Sequence, residues 1–292
     1  MKSALVLILI LACTSCVGPG LLTDGTSVSV GTHSRGVLRH GVTIPFSGDG
    51  YVMPRRWRER RRNYGSEGLV QLLVRAARRV QREYPGGTLG VADLSPMGGG
   101  STAEHRSHHN GRDVDLLLYL TDLKGRPRVP TAMLYLDKQG LTVEPEEKEA
   151  AAAKEPGQQP PPTVEERKKL DLERNWALVR ALVTDPKVPV QWIFIGKPIS
   201  RLLLAHARRI KEPEALIVRA ATLMHQPSDS LSHMDHYHVR IYCSLADRHL
   251  GCLDGGPQRW FKKDLKYIDE PPRQVEVPPA LANLKLSPVP LF

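Results

Sequence analysis

Two clusters of histidine, each beside an apolar run, most constrain what this chain can fold into. The clusters are His105, His108 and His109, and His225, His233, His236 and His238. The adjoining runs, residues 114–120 and 237–242, are rich in apolar and β-branched residues and predict strands. A single histidine is usually a packed core residue, but two clusters entered from polar loops predict that the fold brings several imidazoles together.

Alternation along a strand decides which of these side chains can meet. His236 and His238 lie two positions apart, so they point to the same face of a strand, roughly 6.6–6.8 Å apart. Asp113 and Asp115 share a face by the same rule, and His108 lies on the loop before them. One imidazole of the His236 and His238 pair can therefore bind a metal while the other stands ready for proton transfer.

Two imidazoles and one carboxylate form a set of donors that suits Zn²⁺, with one ion per chain. Three protein ligands leave a fourth position for water, which is typical of a catalytic site. A structural zinc site normally has four ligands, often cysteines, and the chain has only four cysteines in all. We therefore expect a zinc hydrolase that attacks its substrate with metal-activated water.

Amphipathic helices alternate with short strands along the rest of the chain. Ser66 is expected to cap a helix that continues to Tyr84, because the apolar positions that follow form one stripe. The pattern further predicts helices over 170–183 and 198–209 and strands over 88–94 and 190–195. These elements predict an α+β fold with a small antiparallel-dominated central sheet flanked by helices, and the zinc site at the sheet face.

The first residues, 1–16, are typical of a lipoprotein-like signal peptide. A lysine precedes the apolar run 4–12, which is too short to span a bilayer. Residues 10–13 resemble a lipobox ending at Cys13, and Cys16 is a competing site for the lipid. We therefore expect a periplasmic protein anchored to the outer or inner membrane, most simply at the periplasmic face of the outer membrane. A cleaved signal without lipid is the alternative.

The charge of the chain favours anionic partners. The net charge is +10, and the segment 55–62 contains six arginines. This basic run is either a solvated face or a surface that contacts an anionic wall or lipid. Nucleic acid is not an expected partner of an exported chain.

Two cysteines remain outside the signal segment. Cys243 and Cys252 lie nine positions apart. In an oxidising compartment they most simply form one disulfide.

The two histidine segments resemble those of the penicillin-insensitive murein endopeptidases. These belong to a wider group of zinc peptidases that includes lysostaphin-type enzymes and D-Ala-D-Ala metallopeptidases. The group is marked by a histidine, six residues and an aspartate, followed later by His-x-His; His108 and Asp115 have that spacing, and the segment 236–238 supplies the second part. Further matches are Ser107, Gly111, Asp113, His233 and Cys243. The resemblance extends over about residues 36–255.

The resemblance implies a role for each of the clustered residues. His108, Asp115 and His238 would bind zinc. His236 would act as a base or stabilise the transition state, with His233 assisting it.

Five further side chains near these segments have less definite roles. His105 would lie at the edge of the site. Asp113 would either orient a metal ligand or cap a turn. Arg240 would either meet a substrate carboxylate or lie along the surface, and His109 is expected at the surface, as is His225.

The implied activity is hydrolysis of peptide cross-links in peptidoglycan, of the D-alanyl-meso-diaminopimelyl type, with peptidoglycan as the partner. A D,D-carboxypeptidase or dipeptidase acting on peptidoglycan stems is the nearest alternative. A non-catalytic wall-binding lipoprotein is a second one.

The composition divides the chain into three parts after the signal peptide is set aside. Residues 17–40 are rich in glycine, serine and threonine and predict a tether. Residues 41–270 form the expected zinc peptidase domain, which contains a low-complexity insertion at 144–168. Residues 271–292 are expected to form an extended, proline-rich tail.

Overall fold

The structure is a computed structural model that describes residues 24–143, 167–228 and 232–256. The described residues up to Gly255 form one compact unit, and of the second unit, which starts at Gly256, only that residue is described. The signal peptide, nearly all of the insertion and the tail therefore lie outside the described residues. Within the described part of the chain, no helix has the length and apolar character needed to cross a membrane.

Short strands and helices follow one another through the described ranges. The helices there are α1 Arg55–Arg60, α2 Glu67–Glu83, α3 Leu172–Val183, α4 Lys197–Arg209, α5 Glu214–Leu223 and α6 Leu245–His249. The strands there are β1 Val28–Gly31, β2 Gly36–Arg39, β3 Val42–Thr43, β4 Ser47–Gly48, β5 Tyr51–Val52, β6 Tyr64–Gly65, β7 Leu89–Gly90, β8 Asp113–Leu117, β9 Leu120–Asp122, β10 Pro127–Arg128, β11 Lys168–Leu170, β12 Val190–Phe194, β13 Met224–His225 and β14 His236–Ile241.

The central sheet contains four strands in the order β13-β12-β14-β8. Strand β14 pairs antiparallel with both β12 and β8, and β13 pairs parallel with β12. Small two- and three-stranded sheets surround it. The predicted α+β fold with a small antiparallel-dominated sheet is confirmed.

The pairing of β14 with β8 places the polar residues of the two strands opposite one another. His238 lies opposite Asp115, and Arg240 lies opposite Asp113. The residues between them point to the other face, where Val239 and its neighbours are fully buried in the core. Because side chains alternate along a strand, one face of the sheet is the core and the other carries the charged groups.

Helix α2 forms as its sequence predicts. Ser66 is its N-cap, and the side chain of Ser66 accepts a hydrogen bond from the backbone N–H of Leu69. The apolar stripe is buried throughout and faces α3 and the core. Burial of each large apolar side chain contributes about 1.5–3 kcal/mol, which explains why this stripe determines the position of the helix.

Several segments differ from the sequence-based expectation. Residues 28–39, expected in a tether, form an antiparallel β1-β2 hairpin. The strand expected over 88–94 is reduced to β7, Leu89–Gly90, and an isolated bridge from Val91 to Leu116. Helix α1 was missed because, of its six residues, only Trp57 is buried, so its sequence lacks an apolar repeat.

The predicted disulfide is present and closes the loop after β14. Cys243 and Cys252 are bonded, with their Cα atoms 6.0 Å apart. Nearby, the buried guanidinium of Arg112 donates hydrogen bonds to the backbone oxygen of Ile241 and to the carboxylate of Asp254, each at 2.9 Å. The loop is therefore joined to the residue that immediately precedes β8.

A buried asparagine connects α3 to the back of the central sheet. The Asn175 amide nitrogen donates to the backbone oxygens of Tyr119 and Asp171, each at 2.7 Å. Its amide oxygen accepts from the Tyr119 N–H at 3.2 Å and from the Tyr237 hydroxyl at 3.1 Å. One side chain thus satisfies polar groups on three segments that surround the core.

Replacing this asparagine tests how much it contributes to the stability of the fold. Asn175→Ala leaves several buried donors and acceptors without partners, so we expect the free energy of unfolding to fall by about 3 kcal/mol. Urea denaturation followed by circular dichroism measures the loss. Gln71→Ala on α2, which breaks only an amide contact to Glu67, is the control and should change stability by less than about 0.5 kcal/mol. Equal losses in the two variants would contradict the assignment.

Candidate metal centre

The charged face of the central sheet and the loop before β8 together carry the clustered residues. Asp113 and Asp115 are on β8, and His236 and His238 are on β14. His108 comes from the loop and has a left-handed backbone, with φ of 68°. Such a conformation is uncommon for a residue other than glycine and is often found at functional sites.

The loop that carries His108 is held by a serine. The Ser95 hydroxyl donates to the backbone oxygen of His108 and accepts from the backbone N–H of Gly111 at 3.0 Å. Gly111 has a φ of 75°, and a Cβ there would contact Leu38 at 2.6 Å. The glycine is therefore required for the turn that brings His108 back over β8.

Three imidazoles converge on the carboxylate of Asp115. The Asp115 Oδ1 atom lies 3.2 Å from His238 Nδ1, 3.4 Å from His108 Nε2 and 3.8 Å from His236 Nε2. The rings of His108 and His238 are 4.7 Å apart between centroids. The structure thus brings together the residues that the sequence places in one site.

A fourth histidine is also close enough to take part. Ligand atoms of His105, His108 and Asp115 all lie within 4.8 Å of one another. This compact group includes His105, which the resemblance places at the edge, and does not include His238. Both His105 and His238 are therefore candidates for the third ligand beside His108 and Asp115.

The donors of this centre fit a metal ion. His108 is fully buried, and neither of its ring nitrogens has a hydrogen-bond partner. Asp115 is 1% exposed, and neither of its carboxylate oxygens has a hydrogen-bond partner either. Burying such groups unsatisfied costs several kcal/mol in total, whereas nitrogen and carboxylate donors at this spacing are what a divalent cation such as Zn²⁺ requires.

Asp113 orients His238. The Asp113 Oδ1 atom accepts from His238 Nε2 at 2.7 Å and from Arg240 Nε at 2.6 Å. With Nε2 bonded to Asp113, the Nδ1 atom of His238 is the nitrogen that faces Asp115. Arg240 is buried rather than at the surface, and its guanidinium also lies over the Phe194 ring at 5.3 Å. Of the two roles open to Asp113, this geometry favours the orienting one.

The same contacts determine the protonation of this pair. Burial disfavours the charged imidazole, but the hydrogen bond to Asp113 and the nearby negative charges of Asp115 and Asp113 outweigh burial and raise the pKa of His238 to about 9. Burial also opposes the charge of Asp113, yet Arg240 and His238 hold the pKa of that carboxyl below its usual range. Asp113 and Arg240 therefore form a charged, buried support for the imidazole.

His236 and His233 have opposite environments although their rings are 5.1 Å apart. Burial disfavours charge on His236, but its Nδ1 is 2.7 Å from the Asp235 carboxylate, and the net effect raises the pKa of His236. Burial and the neighbouring imidazoles lower the pKa of His233 to about 4. Of the two rings, His236 is the better proton carrier near neutral pH.

The structure adds one carboxylate that the sequence interpretation missed. Asp93 is 1% exposed, and its Oδ2 atom lies 2.9 Å from His105 Nε2 and 2.6 Å from Arg60. The backbone of Asp93 is hydrogen bonded to that of Asp115 at 2.9 Å. A carboxylate inside the otherwise apolar run 89–94 is the sequence signal that would have identified Asp93 as a site residue.

The two histidines left without a role differ from each other. His225 is exposed, as expected. His109 is buried, so its expected surface position is wrong, because its backbone N–H is bonded to His33 and its backbone oxygen to Gly100 within the loop.

Comparisons with known proteins agree with the geometry. The family model described as penicillin-insensitive murein endopeptidase matches residues 29–259. Proteins named penicillin-insensitive murein endopeptidase from Escherichia coli O1:K1 / APEC and from Salmonella paratyphi C (strain RKS4594) are 33% and 32% identical over 97 residues. These matches cover 33% of this chain and 34% of each relative, so the chain matches about a third of the length of these relatives.

Removing the charge of Asp113 tests its support of the centre. At pH 9.5, where protons compete little for His238 in either protein, we expect Asp113→Asn to weaken zinc binding by about 10- to 100-fold, because His238 loses the charged acceptor that orients it. Competition with a chromophoric chelator measures the affinity. Asp49→Asn, which removes a carboxylate from an exposed ion pair with Arg78, is the control and should leave the affinity unchanged. Unchanged affinity in Asp113→Asn would contradict the orienting role.

Zinc binding by metal-free protein should depend on pH. The pKa of His238 is raised to about 9, above the usual 6.5, so the ring is protonated at pH 7 and must lose that proton to bind a metal. We therefore expect affinity to increase up to about tenfold per pH unit from pH 7 and to level off near pH 9. Competition titrations between pH 7 and 9.5 measure this, and proton release is checked by calorimetry in buffers of different ionisation enthalpy. Constant affinity over that range would contradict the raised pKa of His238.

Proposed function

The chain belongs to the penicillin-insensitive murein endopeptidase family, and on that premise we propose that it is a zinc-dependent endopeptidase acting on the peptide cross-links of peptidoglycan. The proposed bond is of the D-alanyl-meso-diaminopimelyl type. The observation that carries the proposal is the buried pair His108 and Asp115, whose nitrogen and oxygen atoms have no hydrogen-bond partners while three further histidines approach them.

We assign the metal to His108, Asp115 and His238. His238 is preferred to His105 as the third ligand because Asp113 accepts a hydrogen bond from the Nε2 atom of His238. Histidines that bind zinc typically have such a bond on the nitrogen that does not bind the metal. The Nε2 atom of His105 is instead 2.9 Å from Asp93. A zinc ion bound by this set supplies Lewis acidity toward the scissile carbonyl and an activated water.

Proton transfer is assigned to His236. Its Nδ1 atom is held by Asp235, so its Nε2 atom, 3.8 Å from Asp115, is the one directed to the centre. At that atom the ring accepts a proton from the attacking water and returns it to the leaving amide nitrogen. Asp235 stabilises the imidazolium between the two transfers, and the neutral ring of His233 lies beside it.

We also propose a cellular position, on the basis of the signal-like segment at residues 1–16. The signal-like segment and the cysteines Cys13 and Cys16 support export to the periplasm and a lipid anchor on one of them. An anchor at the periplasmic face of the outer membrane places the protein within reach of peptidoglycan.

Digestion of purified sacculi tests the activity. We expect the protein to convert cross-linked muropeptide dimers to monomers, detected by mass spectrometry, and a chelator to stop the reaction. Free D-alanine as the only new product would instead support a D,D-carboxypeptidase. Sacculi left unchanged by zinc-loaded protein would reject the proposed cleavage.

Replacing His236 separates proton transfer from metal binding. We expect His236→Ala to lower kcat by about 10²- to 10⁴-fold while zinc content stays near one ion per chain. His249→Ala, at the exposed end of α6, is the control and should retain full activity. A loss of less than tenfold in kcat for His236→Ala would show that the proton is carried elsewhere.

A further inference from the structure

Two arginines at the end of the basic run point toward the metal centre rather than into solvent. Arg60 contacts the Asp93 carboxylate at 2.6 Å, and Arg62 lies 3.7 Å from the same oxygen atom. Their side chains are 26% and 15% exposed. Residues 55–62 are expected to form either a solvated face or a surface that contacts the wall. Neither expectation describes Arg60 and Arg62.

Asp93 places this pair directly beside the centre. Its Oδ2 atom is 2.9 Å from His105 Nε2, and that nitrogen is 3.8 Å from the carboxylate of Asp115. The rings of His105 and His108 are 4.5 Å apart. A group bound by the arginines is thus separated from the candidate ligands by a single imidazole.

Arg62 combines a guanidinium nitrogen that has no partner with a contact to a partly exposed carboxylate. Arg60 is hydrogen bonded to Asp93, and Arg240 is buried against Asp113. In Arg62 the Nη1 atom is buried and has no hydrogen-bond partner, since 3.7 Å to Asp93 is too long for one. The Nη2 atom is 2.5 Å from a carboxylate oxygen of Glu104, whose side chain is 46% exposed.

The proposed substrate has an anion in the corresponding place. In a D-alanyl-meso-diaminopimelyl cross-link, the carbon that bears the acylated amine also bears a free carboxylate. That carboxylate lies next to the nitrogen that leaves on hydrolysis. A guanidinium binds a carboxylate through two parallel hydrogen bonds, which favours arginine over lysine for this task.

We infer that Arg62, positioned by Asp93, binds the free carboxylate beside the scissile amide, and that Glu104 occupies this position in the protein without substrate. The inference rests on the proposed function, because that function supplies the carboxylate. The exposed contact of Arg62 with Glu104 is of a kind that contributes little free energy, so a substrate carboxylate can displace it. Arg62 thereby selects cross-links whose leaving residue is anionic.

Binding of two muropeptide dimers tests this assignment without requiring turnover. The dimers are identical except that one has the free carboxylate next to the cross-link and the other has a carboxamide there. Dissociation constants are measured by calorimetry with the metal-depleted protein, and KM and kcat are measured with zinc present. We expect the wild-type protein to bind the carboxamide form about 10- to 100-fold more weakly.

Three variants distinguish the assignment from a general loss of structure. Arg62→Gln should bind the carboxylate dimer as weakly as wild type binds the carboxamide, and should no longer discriminate between the two dimers. Glu104→Gln should bind the carboxylate dimer more tightly than wild type, because a competing carboxylate is gone. Arg61→Gln, at the exposed position between the two arginines, is the matched control and should behave as wild type.

The outcomes separate this inference from the proposed function. Equal affinity of the wild type for both dimers, or discrimination that persists in Arg62→Gln, overturns the inference. Discrimination without any cleavage supports the inference and overturns the proposed function. Cleavage of both dimers with the same KM overturns the inference and leaves the proposed function intact.

Discussion

The buried carboxylate of Asp115 lies among three imidazoles, and much of the surrounding structure serves to keep it there. Its charge is removed from water, and its oxygen atoms have no hydrogen-bond partners. Only nearby positive charge offsets the free energy of such a burial. The antiparallel register of β8 with β14 provides one source, because it sets His238 directly opposite Asp115. The left-handed turn at His108 brings a second imidazole beside Asp115, but burial lowers the pKa of that ring, so it offers a nitrogen donor rather than a charge.

Three of the imidazoles near that carboxylate have a second carboxylate of their own, and His108 does not. Asp113 holds His238, Asp235 holds His236, and Asp93 holds His105. In His238 and His236 these contacts decide which nitrogen faces the centre, since the other is already bonded. Arginines then balance two of these carboxylates, with Arg240 on Asp113 and Arg60 on Asp93. Positive and negative groups therefore alternate through the site. Removing one charged side chain leaves its neighbour without a partner.

Local patterns in the sequence predicted the helices and strands that carry these groups. They did not predict which distant segments pair with one another. The cap at Ser66 and the apolar stripe of α2 are encoded within a few residues, so that helix was placed correctly. The segment 28–39 has few apolar residues and looked like a tether, yet it pairs as a hairpin. Asp93 and Arg62 meet across some thirty residues of sequence, and no periodicity reports such a contact.

By itself the sequence determined the chemistry of the donors, the alternation that puts His236 and His238 on one face, the α+β class and the membership of a family. These are properties of residue type and of spacing along a single strand or helix. The tertiary structure alone decided that Asp113 supports His238, that His105 competes for the centre, and that Arg60 and Arg62 turn inward onto Asp93. The physical reason is that burial and charge compensation depend on which segments become neighbours, and sheet register sets that only after the chain has folded.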